Sequence, residues 1–131
     1  MTNPNAFAAI KDDGTVEAWG KSDHVITTVP NILTNTDLEN FSKVKSIYSG
    51  GNAFAALKAD GSVVAWGAAD WGGNAPSDLS DVNNIYSTNA AFAALKENGD
   101  VVVWGLSGYG GGGVPTDLTD GTKTVTAIYS N

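Results

Sequence analysis

The side chains best suited to bind a ligand lie in two glycine-rich segments of this sequence. Trp71 is preceded by Asp70 and followed closely by Asn74, and Tyr109 lies within the run 108–113. A flat aromatic ring beside hydrogen-bonding groups is a combination that binds sugar rings, and repeated shallow sites would add avidity. The candidate ligand-binding residues are therefore Trp71, Tyr109, Asp70 and Asn74. The alternative is that both rings cover a sheet edge or pack at a subunit interface.

Catalytic and metal-binding patterns are weak. The chain has a single histidine, His24, and no cysteine, which excludes thiolate metal sites and cysteine nucleophiles. The glycine-rich run lacks the lysine that follows a phosphate-binding loop. The pairs Asp78/Asp81 and Asp117/Asp120 offer carboxylates to Ca²⁺, but their position just after a proline favours capping of a turn. We therefore predict no enzymatic activity, no metal site and no cofactor.

Composition limits the number of domains and the kinds of partner that this protein can have. The 131 residues, 42% hydrophobic and 16% charged, predict one folded domain over 1–131. The sequence has seven basic residues, all lysine, and fourteen acidic ones. The resulting net charge of −7 argues against nucleic-acid binding. No signal peptide is visible, and no apolar run is long enough for a membrane helix, so we predict no membrane insertion. The composition does not fix a cellular compartment.

The elements that position these residues come from an internal repeat. The segments 6–11, 53–58 and 91–96 share the pattern Ala-Phe-Ala-Ala-Ile/Leu-Lys. Each is followed by Asp-Gly or Asn-Gly, a run ending in Trp-Gly, a proline, an Asp-Leu pair (at Asp37 in the first copy) and a closing Ile-Tyr-Ser. We divide the chain into repeats 5–49, 52–87 and 90–130. A period of about 40 residues is typical of propeller blades, solenoid units and three-fold β folds.

Each repeat is predicted to be a β-meander. Asp-Gly between two short apolar runs predicts a hairpin with a type I′ turn, because Asn, Asp and Gly tolerate positive φ. The second arm is rich in β-branched and aromatic residues, which suit a strand. A helix over the alanine-rich first arm would be too short to be stable. The Ile-Tyr-Ser segment supplies a third strand, so the fold class is all-β.

One segment carries a resemblance to a known family. Residues 47–67, with the order Ile-Tyr-Ser, Ala-Phe-Ala-Ala-Leu-Lys, Asp-Gly and Trp-Gly, resemble the core of a repeat of the regulator-of-chromosome-condensation (RCC1) type. The resemblance implies β-propeller blades. The family's usual histidine before the first arm is replaced by Ala53 and Ala91, and its Gly-Gln-Leu-Gly is replaced by residues 72–75. The founding member's exchange activity and chromatin binding are not implied here.

Three repeats are fewer than a propeller normally contains, so the sequence predicts closure by another route. A first arm near residue 6 lacks a preceding Ile-Tyr-Ser, and the Ile-Tyr-Ser beginning at Ile128 lacks a following arm. We therefore expect the closure strands to involve Ala6, Phe7, Ile10, Ile128 and Tyr129. Two copies could form a six-bladed ring, or copies could join head to tail as a filament. The alternative is a compact three-fold monomer of the β-prism or trefoil kind.

These observations favour a non-enzymatic structural or interaction module that self-associates through its repeat edges in a ring, filament, surface layer or virion. A multivalent carbohydrate-binding protein that uses the aromatic loop tips, with a glycan as partner, is the alternative function. A third interpretation is a piece of a longer repeat array.

Overall fold

The computed structural model describes residues 6–20, 29–30, 33, 43–77, 79–115, 118–119, 121 and 123–130. All eight strands in this part of the chain are short. They are β1 (Ala6–Ile10), β2 (Val16–Gly20), β3 (Val44–Ser49), β4 (Ala53–Lys58), β5 (Val63–Gly67), β6 (Val82–Ser87), β7 (Ala91–Lys96) and β8 (Val101–Gly105). Two three-residue 3₁₀ turns, Ala69–Trp71 and Ser107–Tyr109, follow β5 and β8.

The strands form three antiparallel sheets. Sheet A has the order β1-β2, sheet B β3-β4-β5 and sheet C β6-β7-β8. Each three-stranded sheet therefore combines one Ile-Tyr-Ser strand with the hairpin of the next repeat, so the sheets are offset by one strand from the sequence repeats. Sheets B and C share the same register, including an irregularity near the start of the first strand, between Val44 and Ser46 and between Val82 and Asn84.

The hairpin turns differ in type from the sequence prediction. In sheet A, the Gly14 N–H donates to the Lys11 carbonyl at 2.9 Å and the Lys11 N–H donates to the Thr15 carbonyl at 2.8 Å. Only the glycine has positive φ, at 84°, whereas a type I′ turn needs it at both central residues. The loop is therefore a three-residue type I turn with a bulge at glycine. The other two hairpins repeat it.

In two of the three hairpins, an aspartate before the turn glycine closes the loop. Asp13 Oδ1 accepts from the Thr15 hydroxyl at 2.6 Å and the Thr15 N–H at 2.9 Å, and Asp60 makes the same bonds to Ser62. The side-chain and backbone hydrogen bonds from Thr15 lower the pKa of Asp13. At Asp60 burial acts to raise the pKa, but the hydrogen bonds from Ser62 and the Lys58 charge leave it below its ordinary value.

We expect these two aspartates to make stability depend on acid pH. A lowered folded-state pKa stabilises the protein above the unfolded-state value of about 4, and this stabilisation is lost as pH falls through the folded-state pKa. Asn98 Oδ1 already accepts from the Asp100 N–H in the third hairpin, so Asp13→Asn with Asp60→Asn should preserve the turns. Thermal unfolding followed between about pH 7 and pH 2.5 should show a smaller acid loss in the double variant. An equal loss in both proteins would contradict this role.

Two apolar clusters lie between the sheets, and β4 contributes to both. Phe54 and Ala56 pack in one cluster with Ala6 and Val16 of sheet A. Ala53, Ala55 and Leu57 pack in the other with residues of sheet C, among them Ile85, Phe92 and Trp104. Successive side chains of a strand point to opposite faces, so sheet B is packed on both sides. The alanines of β4, at 0–2% exposed, permit this close approach.

Turns after Pro30, Pro76 and Pro115 each place a leucine three residues later, which is buried at Leu33 and Leu79 and half-buried at Leu118. The N–H groups of Leu33, Leu79 and Leu118 donate to the carbonyls of the prolines three residues earlier, at 2.9, 3.3 and 3.0 Å. Leu33 is fully buried and lies at the same distance from its proline as the other two leucines. The Asp37–Leu38 pair, which the sequence pattern assigned to the first repeat, stays a prediction. Asp37 itself lies outside the described residues.

Candidate functional site: aromatic turns and open sheet edges

The two aromatic segments have nearly the same backbone. The N–H groups of Trp71 and Tyr109 donate to the carbonyls three residues earlier, Ala68 and Leu106, at 3.0 and 2.9 Å. Each turn ends in a left-handed glycine, Gly72 with φ 100° and Gly110 with φ 102°. The sequence places a glycine directly after the aromatic residue in both repeats, and this spacing is the local signal for the shared turn.

The structure brings the two predicted aromatic residues together. The rings of Trp71 and Tyr109 are stacked, with centroids 6.4 Å apart. Trp71 is half-buried and packs against the cluster between sheets B and C, which corrects the expectation of two exposed tips. Tyr109 is 48% exposed. Asp70 and Asn74 are both exposed, and glycan binding by these four residues remains a prediction.

The glycine after Trp71 contacts the neighbouring sheet. The Trp104 indole Nε1 donates to the Gly72 carbonyl at 3.1 Å. A Cβ on Gly72 would lie 2.6 Å from the Phe92 ring, so only glycine permits this approach. The turn of one repeat therefore covers the Phe–Trp pair of the next sheet. The position of Trp104 at the end of a hairpin arm predicts a core residue, but no local pattern indicates its contact with Gly72.

Sheet A presents an open edge. The N–H and carbonyl of Lys11 both bond on the side of β2, to Thr15 and Gly14. Since the direction of the backbone groups alternates along a strand, those of Ile10, Ala8 and Ala6 face away from β2. In the described part of the chain no strand pairs with that side. The side chains nearby are also exposed: Phe7 by 59%, Trp19 by 51% and Ile10 by 38%.

The segment 125–130 has the sequence of a strand but is not part of any described sheet. Its sequence, Val-Thr-Ala-Ile-Tyr-Ser, corresponds to β3 and β6. The Val125 N–H donates to the Gly99 carbonyl at 3.0 Å, as Val44 does to Gly14 and Val82 does to Gly61. Its start is therefore anchored like β3 and β6, yet it pairs with none of the described strands. Ile128 is half-buried and Tyr129 is 90% exposed.

A cleft of about 600 Å³ separates this segment from sheet C. Its walls include Ala91 and Ala93 of β7, the turn residues Tyr109 and Gly110, and Ile128 of the unpaired segment. The sequence-predicted residues thus fall into two groups on the described surface: Ile128 and Tyr129 near Tyr109, and the exposed residues of β1.

The remaining residues considered for catalysis or metal binding are His24 and the two aspartate pairs. His24, Asp78, Asp117 and Asp120 lie outside the described residues. Asp81 is exposed, with φ 56°. Within the described ranges no group of three or more His, Cys, Asp or Glu side chains could hold a metal ion. No helix in the same ranges is long and apolar enough to cross a membrane.

Comparison with solved structures identifies the fold class. No protein-family model and no curated protein matches the chain. Human WBSCR16 is similar with a TM-score of 0.54 and 23% identity, over 77% of this chain and 32% of that one. Prp20p from Saccharomyces cerevisiae is similar with a TM-score of 0.53 and 20% identity, over 77% of this chain and 28% of that one.

These similarities place the chain in the β-propeller-like, all-β class. Both neighbours are RCC1-like, so the resemblance predicted from the sequence is confirmed at the level of the fold class. The chain spans about a third of the length of these structures or less. Binding to Gsp1p and histones is a property of Prp20p.

Proposed function

We propose that the protein is a structural, non-enzymatic module that self-associates by strand addition. Segment 125–130 of one copy pairs with the open edge of β1 in the next copy and completes a three-stranded sheet like B and C. The observation that carries the proposal is that the outer edge of β1 and the segment 125–130, which is anchored like β3 and β6, each pair with none of the other described strands. Addition of a strand to an open sheet edge is an established mode of recognition.

Sheets B and C specify the register of the proposed pairing. Tyr48 pairs with Ala55 and Ile47 with Ala56 in sheet B, and sheet C repeats this pattern. Transferred to the interface, Tyr129 of one copy lies opposite Ala8 of the next, and Ile128 lies opposite Ala9. A shift by one residue would turn the apolar side chains to the wrong face.

The edge of β1 lacks the features that normally prevent strand addition. Soluble proteins protect open edges with charged residues, prolines or bulges. The strand Ala6–Ile10 contains neither a charge nor a proline, and segment 125–130 is also uncharged. In a chain of net charge −7, where copies repel one another, this pairing joins two neutral segments.

The contact joins different surfaces of the two copies, so it closes into a ring or extends into a filament according to the rotation between them. A closed ring of two copies would contain six sheets, within the four to eight blades typical of propellers. We propose this ring as the assembled form.

Ala8→Pro tests strand addition. Proline removes the N–H that faces the open edge and leaves the β1–β2 hydrogen bonds in place, so we expect association to weaken by more than about a hundredfold. The measurement is molar mass by light scattering on a size-exclusion column over a range of concentrations. The wild type should exceed the single-chain mass of 13.4 kDa, while Ala8→Pro should not.

Ala8→Val is the matched control, because it changes the side chain at the same position and keeps the N–H. It should associate like the wild type. A wild-type protein that stays at the mass of one chain at every concentration would refute the proposal, as would an Ala8→Pro variant that associates normally while folded.

A further inference from the structure

Beyond strand addition, we infer that the cleft beside Tyr109 receives the Phe7–Trp19 pair of the next copy. The Trp19 indole N–H donates there to the Gly110 carbonyl. This inference rests on the proposed self-association, and it names the side chains that give that association its specificity.

The contact inside the chain is the template. The Phe92–Trp104 pair, with ring centroids 5.4 Å apart, lies under the turn that ends in Gly72, and Trp104 donates to the Gly72 carbonyl. Phe92 also packs with Ala53 and Ala55 of the preceding sheet. One sheet and the turn that follows it therefore supply two alanines and a glycine carbonyl, and the aromatic pair of the next sheet packs against them.

The receiving half of this arrangement is preformed next to sheet C. Ala91 and Ala93 line the cleft at the positions equivalent to Ala53 and Ala55. Gly110 has the conformation of Gly72. A Cβ on Gly110 would meet only a Thr88 methyl group at 4.0 Å, so the space that Phe92 fills beside Gly72 is open here.

Two contacts hold the turn that forms this half. The Thr88 hydroxyl donates to the Tyr109 carbonyl at 2.7 Å, and the Tyr109 ring stacks on Trp71. Ile128 lies on the opposite wall of the cleft. In the register proposed above, Ile128 lies opposite Ala9 of the next copy, and Phe7 shares the sheet face of Ala9, so the Phe7 ring enters this cleft.

The inserting half is the exposed pair on sheet A. Phe7 and Trp19 are cross-strand partners with ring centroids 5.8 Å apart, as in the buried pairs. More than half of each side chain is exposed in the single chain. The equivalent Phe–Trp pairs of sheets B and C are buried, whereas this pair is exposed beside an open edge. We therefore expect the second copy to cover it.

Two variants test the inference. Trp19→Phe keeps an aromatic ring but removes the donor, and we expect the dissociation constant of the assembly to rise about three- to tenfold. Tyr109→Ala removes one wall of the cleft, and we expect a rise of tenfold or more. Combined, the two changes should raise the constant by less than the product of their separate effects, because they alter one contact.

Trp104→Phe is the control, since it removes the same hydrogen bond inside the chain. It should lower the thermal unfolding midpoint and leave the dissociation constant unchanged. Normal association of both Trp19→Phe and Tyr109→Ala would overturn the inference, while the Ala8→Pro result would still decide strand addition separately. If Trp19→Phe weakens association while the unfolding midpoint of the dilute single chain stays unchanged, the inference is supported.

Discussion

Phe92→Ala is expected to lower the free energy of unfolding by about 3–5 kcal/mol. Phe92 is 1% exposed, stacks on Trp104 and packs against the turn glycine Gly72. Its removal would leave a cavity between sheets B and C, and the backbone turn above it can collapse only partly. Urea denaturation followed by tryptophan fluorescence, at concentrations where the protein is a single chain, measures this loss.

Phe7→Ala is the matched comparison, because Phe7 holds the equivalent position in sheet A but is 59% exposed. In the single chain we expect its loss to cost less than about 1 kcal/mol. Under conditions of self-association the same change should weaken the assembly. Equal stability losses for Phe92→Ala and Phe7→Ala in the single chain would contradict the description of the Phe7–Trp19 pair as uncovered.

The hairpins could be predicted from the sequence, and the type of turn could not. Asp-Gly in two repeats and Asn-Gly in the third correctly placed all three hairpins. Both two-residue and three-residue loops use Asp-Gly, and only the Lys11–Thr15 hydrogen bond distinguishes them. Leu33 was not identified, because the first repeat has leucine at both 33 and 38 after its proline and the repeat pattern was assigned to the pair at 37–38.

The aromatic candidates show a similar limit. Glycine neighbours correctly indicated turns at Trp71 and Tyr109, but the exposure of Trp71 depends on a neighbouring sheet that is distant in sequence. The contact between Trp104 and Gly72 joins residues 32 positions apart and has no local signal. The expected role of β1 in closure agrees with its pairing to β2 alone among the described strands, and closure itself stays a prediction.

An engineered disulfide tests the proposed strand pairing at single-residue resolution. The chain has no cysteine, so introduced thiols are the only ones present. Ile128 of one copy and Ala9 of the next are directly opposite in the proposed register, at a separation that a disulfide can span. Ile128 and Ala8 would instead lie on opposite faces of the sheet, which makes Ala8→Cys the off-register control.

The most direct measurement mixes two single variants, Ala9→Cys and Ile128→Cys, under mild oxidation and identifies the linked peptides by mass spectrometry. We predict rapid formation of a two-chain species linked through residues 9 and 128, and much slower formation when Ala8→Cys replaces Ala9→Cys. A protein carrying both Ala9→Cys and Ile128→Cys should form covalent species of two or more chains. Failure of the mixture to cross-link, or a disulfide that forms only within one chain of the double variant, would contradict assembly by strand addition between copies.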